Sequence, residues 1–198
     1  MIEQDEFIGG DPSIDFVNTI GGIRSGVFED KLATYDDLLQ WATLAGALVP
    51  TRLAALSHAA RKDPRGAAAA LARARAIRES IHDAYLALAN GRAAPRQVLG
   101  EINAVIGSAM SHTRIHRIDG NYEWGWDDAL ALEAPLWPIL RATGEILVSG
   151  EWSRLRECAS ETCGWLFLDK SKNRSRRWCD MKGCGNRAKV RRYRGLED

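Results

Sequence analysis

Residues 158–187 read CASETCGWLFLDKSKNRSRRWCDMKGCGNR, and this stretch decides how the C-terminal part of the chain folds. It holds all four cysteines of the 198-residue chain in two pairs, with four residues inside each pair and fifteen between them. Zinc takes four ligands at the corners of a tetrahedron, and two short loops that each give two thiolates build this arrangement with little backbone strain. The spacing predicts one Zn²⁺ per chain, bound by Cys158, Cys163, Cys179 and Cys184.

Other uses of the four cysteines are weaker on the sequence. Four thiolates also suit an iron–sulfur cluster, which stays open as the alternative. Disulfides persist in oxidising compartments, whereas residues 1–6 are acidic and carry no apolar signal segment. We therefore expect a cytoplasmic protein with reduced thiols and no membrane partner, since no apolar run is long enough to cross a bilayer.

The segment around the cysteines predicts a small metal-dependent module. Residues 165–168 and 176–178 are predicted as two strands joined by a polar loop, and the chain after the last cysteine as a helix. This order is that of a treble-clef-like zinc finger. On a helical projection Asn186, Val190 and Tyr193 share a narrow stripe, which we expect to face the zinc site. With so few apolar residues, the module should need the metal to fold.

Charge is distributed very unevenly along the chain. Thirteen basic and four acidic residues lie between Arg154 and Arg194, a net charge of +9, while the remainder carries −8. A dense basic segment predicts a nucleic-acid partner, with DNA favoured. RNA binding, docking of the segment on the acidic part of the chain, or a merely solvated surface are the alternatives. The residues predicted to contact nucleic acid are Lys172, Arg174, Arg176, Arg177, Arg187, Lys189, Arg191 and Arg192.

The N-terminal part reads as mostly helical. Thr34 and Asp37 have capping-box spacing, and Pro50 and Pro64 suit the first turns of two further helices. Helices are also predicted from about Pro95 and over 135–148, while alternating apolar residues over 112–126 predict a β-hairpin. The fold class is therefore α+β. A mostly helical N-terminal domain with a small β-hairpin, residues 1–150, precedes a treble-clef-like finger, residues 151–198.

Candidate sites outside the cysteine segment are few. Asp15 and Asn18 are polar residues within an apolar opening segment. They either cap a turn or bind a small effector in a pocket of the helical domain. The four histidines are scattered without ligand spacing, and no nucleophile–base pair or phosphate loop is present, so no enzyme is predicted.

The residues over 171–187 carry a family resemblance. Cys184-Gly185-Asn186-Arg187, with the preceding SKNRSRRWC at 171–179, resembles the CGNR zinc finger. Gly9-Gly10 followed by DFVNT at 15–19 resembles the opening of the ABATE domain, which precedes this finger in bacterial proteins. The resemblance implies a stress-linked transcription regulator with the finger as its DNA-binding element. A single short module binds DNA weakly, so a homodimer that reads two half-sites is a further expectation.

Overall fold

The computed structural model describes residues 7–21 and 29–195. The acidic start, residues 1–6, lies outside this range. The opening segment, which the sequence left open between strand and helix, forms helix α1, Pro12–Val17, with the Asp11 carboxylate accepting from the Ser13 N–H as N-cap. Two short strands follow, β1 at Ile20–Gly21 and β2 at Glu29–Asp30, and they pair antiparallel. Helix α1 thus lies near the start of the chain, with most of its residues buried.

Four helices make up most of the next hundred residues, and all begin where the sequence predicts. They are α2 at Tyr35–Leu44, α3 at Pro50–Lys62, α4 at Pro64–Ala89 and α5 at Arg96–Met110. The predicted capping box is present, since Thr34 and Asp37 each accept from the backbone N–H of the other. No helix in the described ranges is both long and apolar enough to cross a membrane.

The predicted hairpin is also confirmed. Strand β3, Thr113–Ile118, pairs antiparallel with β4, Asn121–Trp126, around the Asp119-Gly120 turn. Helix α6, Trp137–Val148, follows a 3-10 turn and packs against α1 and α5. Ile115, Tyr122 and Trp124 lie on one face of the hairpin and are 64%, 75% and 61% exposed. The hairpin therefore projects from the helical body with an aromatic face uncovered.

The finger has a strand pairing that differs from the prediction. Strand β6, Leu166–Leu168, pairs antiparallel with β5, Leu155–Glu157, which precedes the first cysteine, and residues 176–178 form no strand. Segment 176–178 meets the first knuckle instead, where the Ala159 N–H donates to the Arg177 carbonyl. A π-helical turn, Met181–Gly185, leads into helix α7, Asn186–Tyr193. The treble-clef-like order of knuckle, hairpin and terminal helix holds, with the hairpin formed around the first knuckle.

Strand β6 lies between two hydrophobic clusters. Leu166 and Leu168 join the main core of the helical part, while Phe167 packs with the cysteines. Successive side chains of a strand point to opposite faces, so one strand contributes to both clusters. The finger is thus seated on the helical part through a shared core, in which Leu155 of β5 is also fully buried.

Candidate metal centre and basic groove

The four cysteine sulfurs converge at the geometry a single zinc ion requires. All lie within 4.8 Å of one another, and the Cys163–Cys179 and Cys179–Cys184 sulfur pairs are 3.7 Å and 3.6 Å apart. Zinc–sulfur bonds of about 2.3 Å in a tetrahedron place neighbouring sulfurs about 3.8 Å apart. The separations far exceed a disulfide bond, and all four cysteines are free. The space suits one ion and leaves no room for the several atoms of an iron–sulfur cluster.

The thiols are electrostatically coupled in a way that favours a cation. Hydrogen bonds from the thiols of Cys163 and Cys179 lower the pKa of Cys158 to about 2. The same pairings raise the pKa of Cys163 to about 12 and raise that of Cys179 further. A negative charge on one sulfur therefore makes ionisation of its neighbours less favourable. Ionising all four sulfurs needs a compensating positive charge, which a divalent cation supplies.

Groups around the sulfurs fix the ligands in place. The Arg187 guanidinium donates from Nη2 to Cys184 Sγ at 2.9 Å, and the Cys179 N–H lies 3.4 Å from Cys158 Sγ. Gly164, directly after the second ligand, has a φ of +83°, which suits glycine and turns the first knuckle. Gly185, directly after the last ligand, has ordinary helical backbone.

A basic groove opens between the first knuckle and helix α7. It has a volume of about 710 Å³, and every residue lining it belongs to the finger. Ser160, Glu161 and Thr162 form one wall, and α7 forms the other. The Arg191 guanidinium reaches across to the Glu161 carboxylate at 2.7 Å. Four of the eight predicted nucleic-acid residues line this groove, namely Arg177, Arg187, Arg191 and Arg192.

The other four predicted nucleic-acid residues are placed differently. Lys172 and Arg174 are exposed on the 170–175 loop, and Lys189 is exposed on α7. Arg176 points into the finger: its guanidinium stacks on the Phe167 ring, 4.4 Å from the centroid, and donates to backbone carbonyls of the finger and of Ile8. Arg176 therefore joins the finger to Ile8, near the start of the chain.

The stripe predicted to face the zinc site does not do so. Val190 and Tyr193 of α7 are 40% and 93% exposed, and Asn186 is exposed as well. Helix α7 instead turns Ala188 toward the groove. The helix has no fully buried residue, so it is held mainly by its connection to the last zinc ligand.

Asn18 and Asp15 both hydrogen-bond to backbone groups in the seam, which is the contact region between the start of the helical part, residues 9–20, and residues 165–169 of the finger. The Asn18 amide donates to the Leu166 carbonyl at 2.8 Å and accepts from the Leu166 N–H at 2.9 Å, so it pairs with β6 as a neighbouring strand would. Asp15 accepts from the Gly9 N–H at 2.7 Å, and burial raises its pKa to about 6 despite that bond. The Gly9 carbonyl in turn accepts from the Leu168 N–H. The effector-binding role of the two residues stays a prediction.

For two further residues of the seam, Trp165 and Asp169, the sequence did not predict the contacts that the structure shows. The Trp165 indole N–H donates to the Ile20 carbonyl at 2.9 Å, and Lys31 lies over the same ring. Asp169 is fully buried; burial opposes its charge, yet hydrogen bonds from Ser171 and Arg176 outweigh it and hold the pKa below its usual value. Only the position of an acid directly after an apolar strand could have marked Asp169.

Fold and site together define a class of protein, a helical domain fused to a four-cysteine zinc finger. Residues 10–150 match the family described as "Putative stress-induced transcription regulator", the ABATE family, and residues 154–195 match the CGNR zinc finger. The chain belongs to the ABATE family. No curated protein is similar enough to be matched to it.

These family matches confirm the prediction of a zinc site and the general class of the protein. The CGNR match and the sulfur geometry together confirm one zinc ion held by the finger. The chain is a zinc-binding protein of a regulator family, and neither matched family is enzymatic in kind.

Proposed function

We propose that this chain regulates transcription by binding duplex DNA through its zinc finger. The observation that carries the proposal is the groove beside α7, which is lined by four arginines, one of them bonded to a zinc ligand. Arginine presents forked donors that match phosphate oxygens and guanine edges. In this proposal residues 151–198 contact DNA and residues 1–150 form the regulatory body.

Exposed cations beside the groove extend the surface along a strand of DNA. Lys172 and Arg174 project from the 170–175 loop, and Lys189 lies on α7 outside the groove. Backbone contacts of this kind fix position and contribute most of the affinity, while base contacts specify sequence. The groove residues are also separate from the surface that meets the helical part, which argues against docking of the groove on the acidic domain.

Glu161 adds to the free-energy cost of binding a DNA phosphate at Arg191. Its carboxylate pairs with the Arg191 guanidinium at 2.7 Å, in the position that we expect a phosphate oxygen of DNA to take. A phosphate that enters must displace this carboxylate and bears a similar charge. The pair is exposed, so its own strength is modest and the exchange is feasible.

A salt titration of duplex binding tests the proposal. Zinc-loaded full-length protein should bind duplex DNA, with log affinity falling linearly with log salt. Arg177→Ala and Arg191→Ala should each lower the slope by about one, because each removes one phosphate contact. Arg96→Ala, an exposed arginine of the helical part, is the matched control and should leave the slope unchanged.

Two results would contradict duplex DNA as the ligand of the groove. Absence of duplex affinity at low salt means that the groove does not bind DNA. Tighter binding to single-stranded RNA than to the duplex, with the same loss in the arginine variants, favours the RNA-binding alternative. If the duplex is bound as expected, a screen of genomic fragments captured by the intact protein would identify the preferred DNA site.

The proposed regulatory input is a small molecule bound beside α1. A cavity of about 380 Å³ lies against Val17 and Ile20, opposite a wall that includes Arg78 and His82 of α4. Asn18, which follows Val17 as the C-cap of α1, bonds to Leu166 of the finger, so a ligand here would lie beside a residue that seats the finger. A ligand of this cavity should raise the melting temperature of the protein and not that of Ile20→Trp, which fills the cavity.

Two copies would present two fingers to DNA, and we propose the β3–β4 hairpin as their contact. Contiguous exposed apolar residues mark interaction surfaces, and Ile115, Tyr122 and Trp124 form such a face. Sedimentation velocity should show a dimer that Ile115→Lys and Tyr122→Lys convert to monomer. A monomer at all concentrations contradicts the dimer and leaves the DNA groove unaffected.

A further inference from the structure

Arg187 contacts the sulfur of a zinc ligand through its guanidinium and also lines the basic groove. Its Nη2 donates to Cys184 Sγ at 2.9 Å. The same side chain forms part of the groove wall with Arg191, one helical turn further along α7. The metal centre and the groove therefore share a single guanidinium.

The chemistry of the two neighbours makes this sharing effective. Four thiolates around one Zn²⁺ leave the centre with a net charge of −2, and a charged donor beside one sulfur offsets part of it. A guanidinium carries five N–H donors in a fixed plane, so one can hold sulfur while others remain for an oxygen ligand. Among the described residues, the bond to Cys184 Sγ is the only hydrogen bond that the Arg187 side chain makes.

We propose that Arg187 is a positioning residue that transmits the state of the metal centre to the groove. With zinc bound, the Cys184 thiolate anchors the guanidinium and orients its remaining donors toward a phosphate in the groove. Loss of the metal removes the anchor, and the groove loses one of its four arginines. The groove half of this proposal rests on the proposed function, while the sulfur half stands on its own.

Arg191 supplies a matched control because it lines the same groove and pairs with Glu161 instead of a cysteine. Arg187→Lys keeps the charge yet cannot serve both neighbours, since a lysine has no planar fork. A comparison of Arg187→Lys with Arg191→Ala thus separates a contact to sulfur from a contact to phosphate.

The experiment measures zinc affinity and the salt slope of duplex binding on full-length protein. Zinc affinity is obtained by competition with a chromophoric chelator, and one zinc per chain at saturation shows that each variant still forms the centre. We expect Arg187→Ala to weaken zinc binding roughly 10–100-fold and to lower the salt slope by about one. Arg187→Lys should weaken zinc binding while largely keeping the slope, and Arg191→Ala should lower the slope without changing zinc affinity.

Three outcomes overturn the proposal. Unchanged zinc affinity in both Arg187 variants shows that the sulfur contact has no consequence. Weaker zinc binding with a wild-type salt slope in Arg187→Ala confines the residue to the metal centre. Wild-type protein that binds no duplex removes the groove half together with the proposed function, and is recognised because the zinc measurements remain readable.

Discussion

The helical part of the chain buries leucines, alanines and aromatic rings, whereas the finger's own cluster buries three cysteines and Phe167, and its buried leucines belong to the main core. The main core runs from α1 through α6, and the second cluster consists of Phe167 with Cys158, Cys179 and Cys184. One region is therefore held by removal of apolar surface from water, and the other by a metal that closes a short loop-rich segment. Strand β6 joins the two, with alternate side chains in each.

This difference predicts that the two regions respond to different perturbations, although they share a strand. Changes at the sulfurs should loosen the finger and spare α2–α6, and changes in the leucine core should affect both.

Removal of one zinc ligand should have the largest effect. Cys184→Ser breaks the tetrahedron, and structural zinc sites contribute about 10 kcal/mol or more of apparent binding free energy near pH 7. Elemental analysis should show loss of the zinc, and hydrogen exchange should show loss of protection over 158–195 with α2–α6 still protected. Loss of protection in those helices as well would contradict the separation between metal-held and core-held regions.

Two neighbouring residues of β6 sharpen the comparison. Leu166→Ala creates a cavity in the main core and should lower the free energy of unfolding of the whole chain by about 2–5 kcal/mol. Phe167→Ala removes the ring beside the sulfurs and under Arg176, so its effect should fall on zinc affinity and finger protection. Urea unfolding followed by far-UV circular dichroism, paired with chelator competition, checks both. Equal effects on helix stability would mean that β6 does not separate the two clusters.

Asp15 tests the seam through pH. Burial raises the pKa of its carboxyl from the ordinary 3.8 to about 6, so the folded state holds the proton more tightly than the unfolded chain. Stability from this group is present below about pH 4 and falls as the pH rises to about 6, by about 3 kcal/mol at 1.36 kcal/mol per unit. Asp15→Asn keeps an acceptor for the Gly9 N–H without the charge.

We expect Asp15→Asn to be more stable than wild type at pH 7, by up to about 3 kcal/mol, and nearly equal to it at pH 4. Urea titrations at pH 4, 5, 6 and 7 give the comparison. A wild type whose advantage over Asp15→Asn grows with pH would reverse the sign and show that the charged carboxylate is stabilised in place.

Asn18 should give the smallest of these effects and the most local one. Asn18→Ala leaves the buried N–H and C=O of Leu166 without their partner, at a cost of roughly 2 kcal/mol. Faster hydrogen exchange at the Leu166 amide, with normal zinc affinity, is the expected signature. Unchanged exchange there would show that the asparagine does not seat the finger, and would favour its other predicted role at an effector site.

Local chemistry explains what could be predicted. The cysteine spacing brings four sulfurs together because each pair lies within one short loop, and the capping box at Thr34 closes over three residues. The hairpin around Asp119-Gly120 likewise follows from a two-residue turn between alternating strands. Each feature depends on neighbours in the chain, so the sequence by itself determined the ligand set, the helix starts and the division into a helical part and a finger.

Contacts between distant segments were decided by the tertiary structure alone. Asn18 and Leu166 are 148 positions apart, and nothing in the spacing of either segment identifies the other as its partner. The partner of β6, the stacking of Arg176 on Phe167 and the exposure of Val190 and Tyr193 have the same origin. In each case several local conformations are compatible with the residues, and the choice among them comes from which surface is buried when the finger packs on the helices.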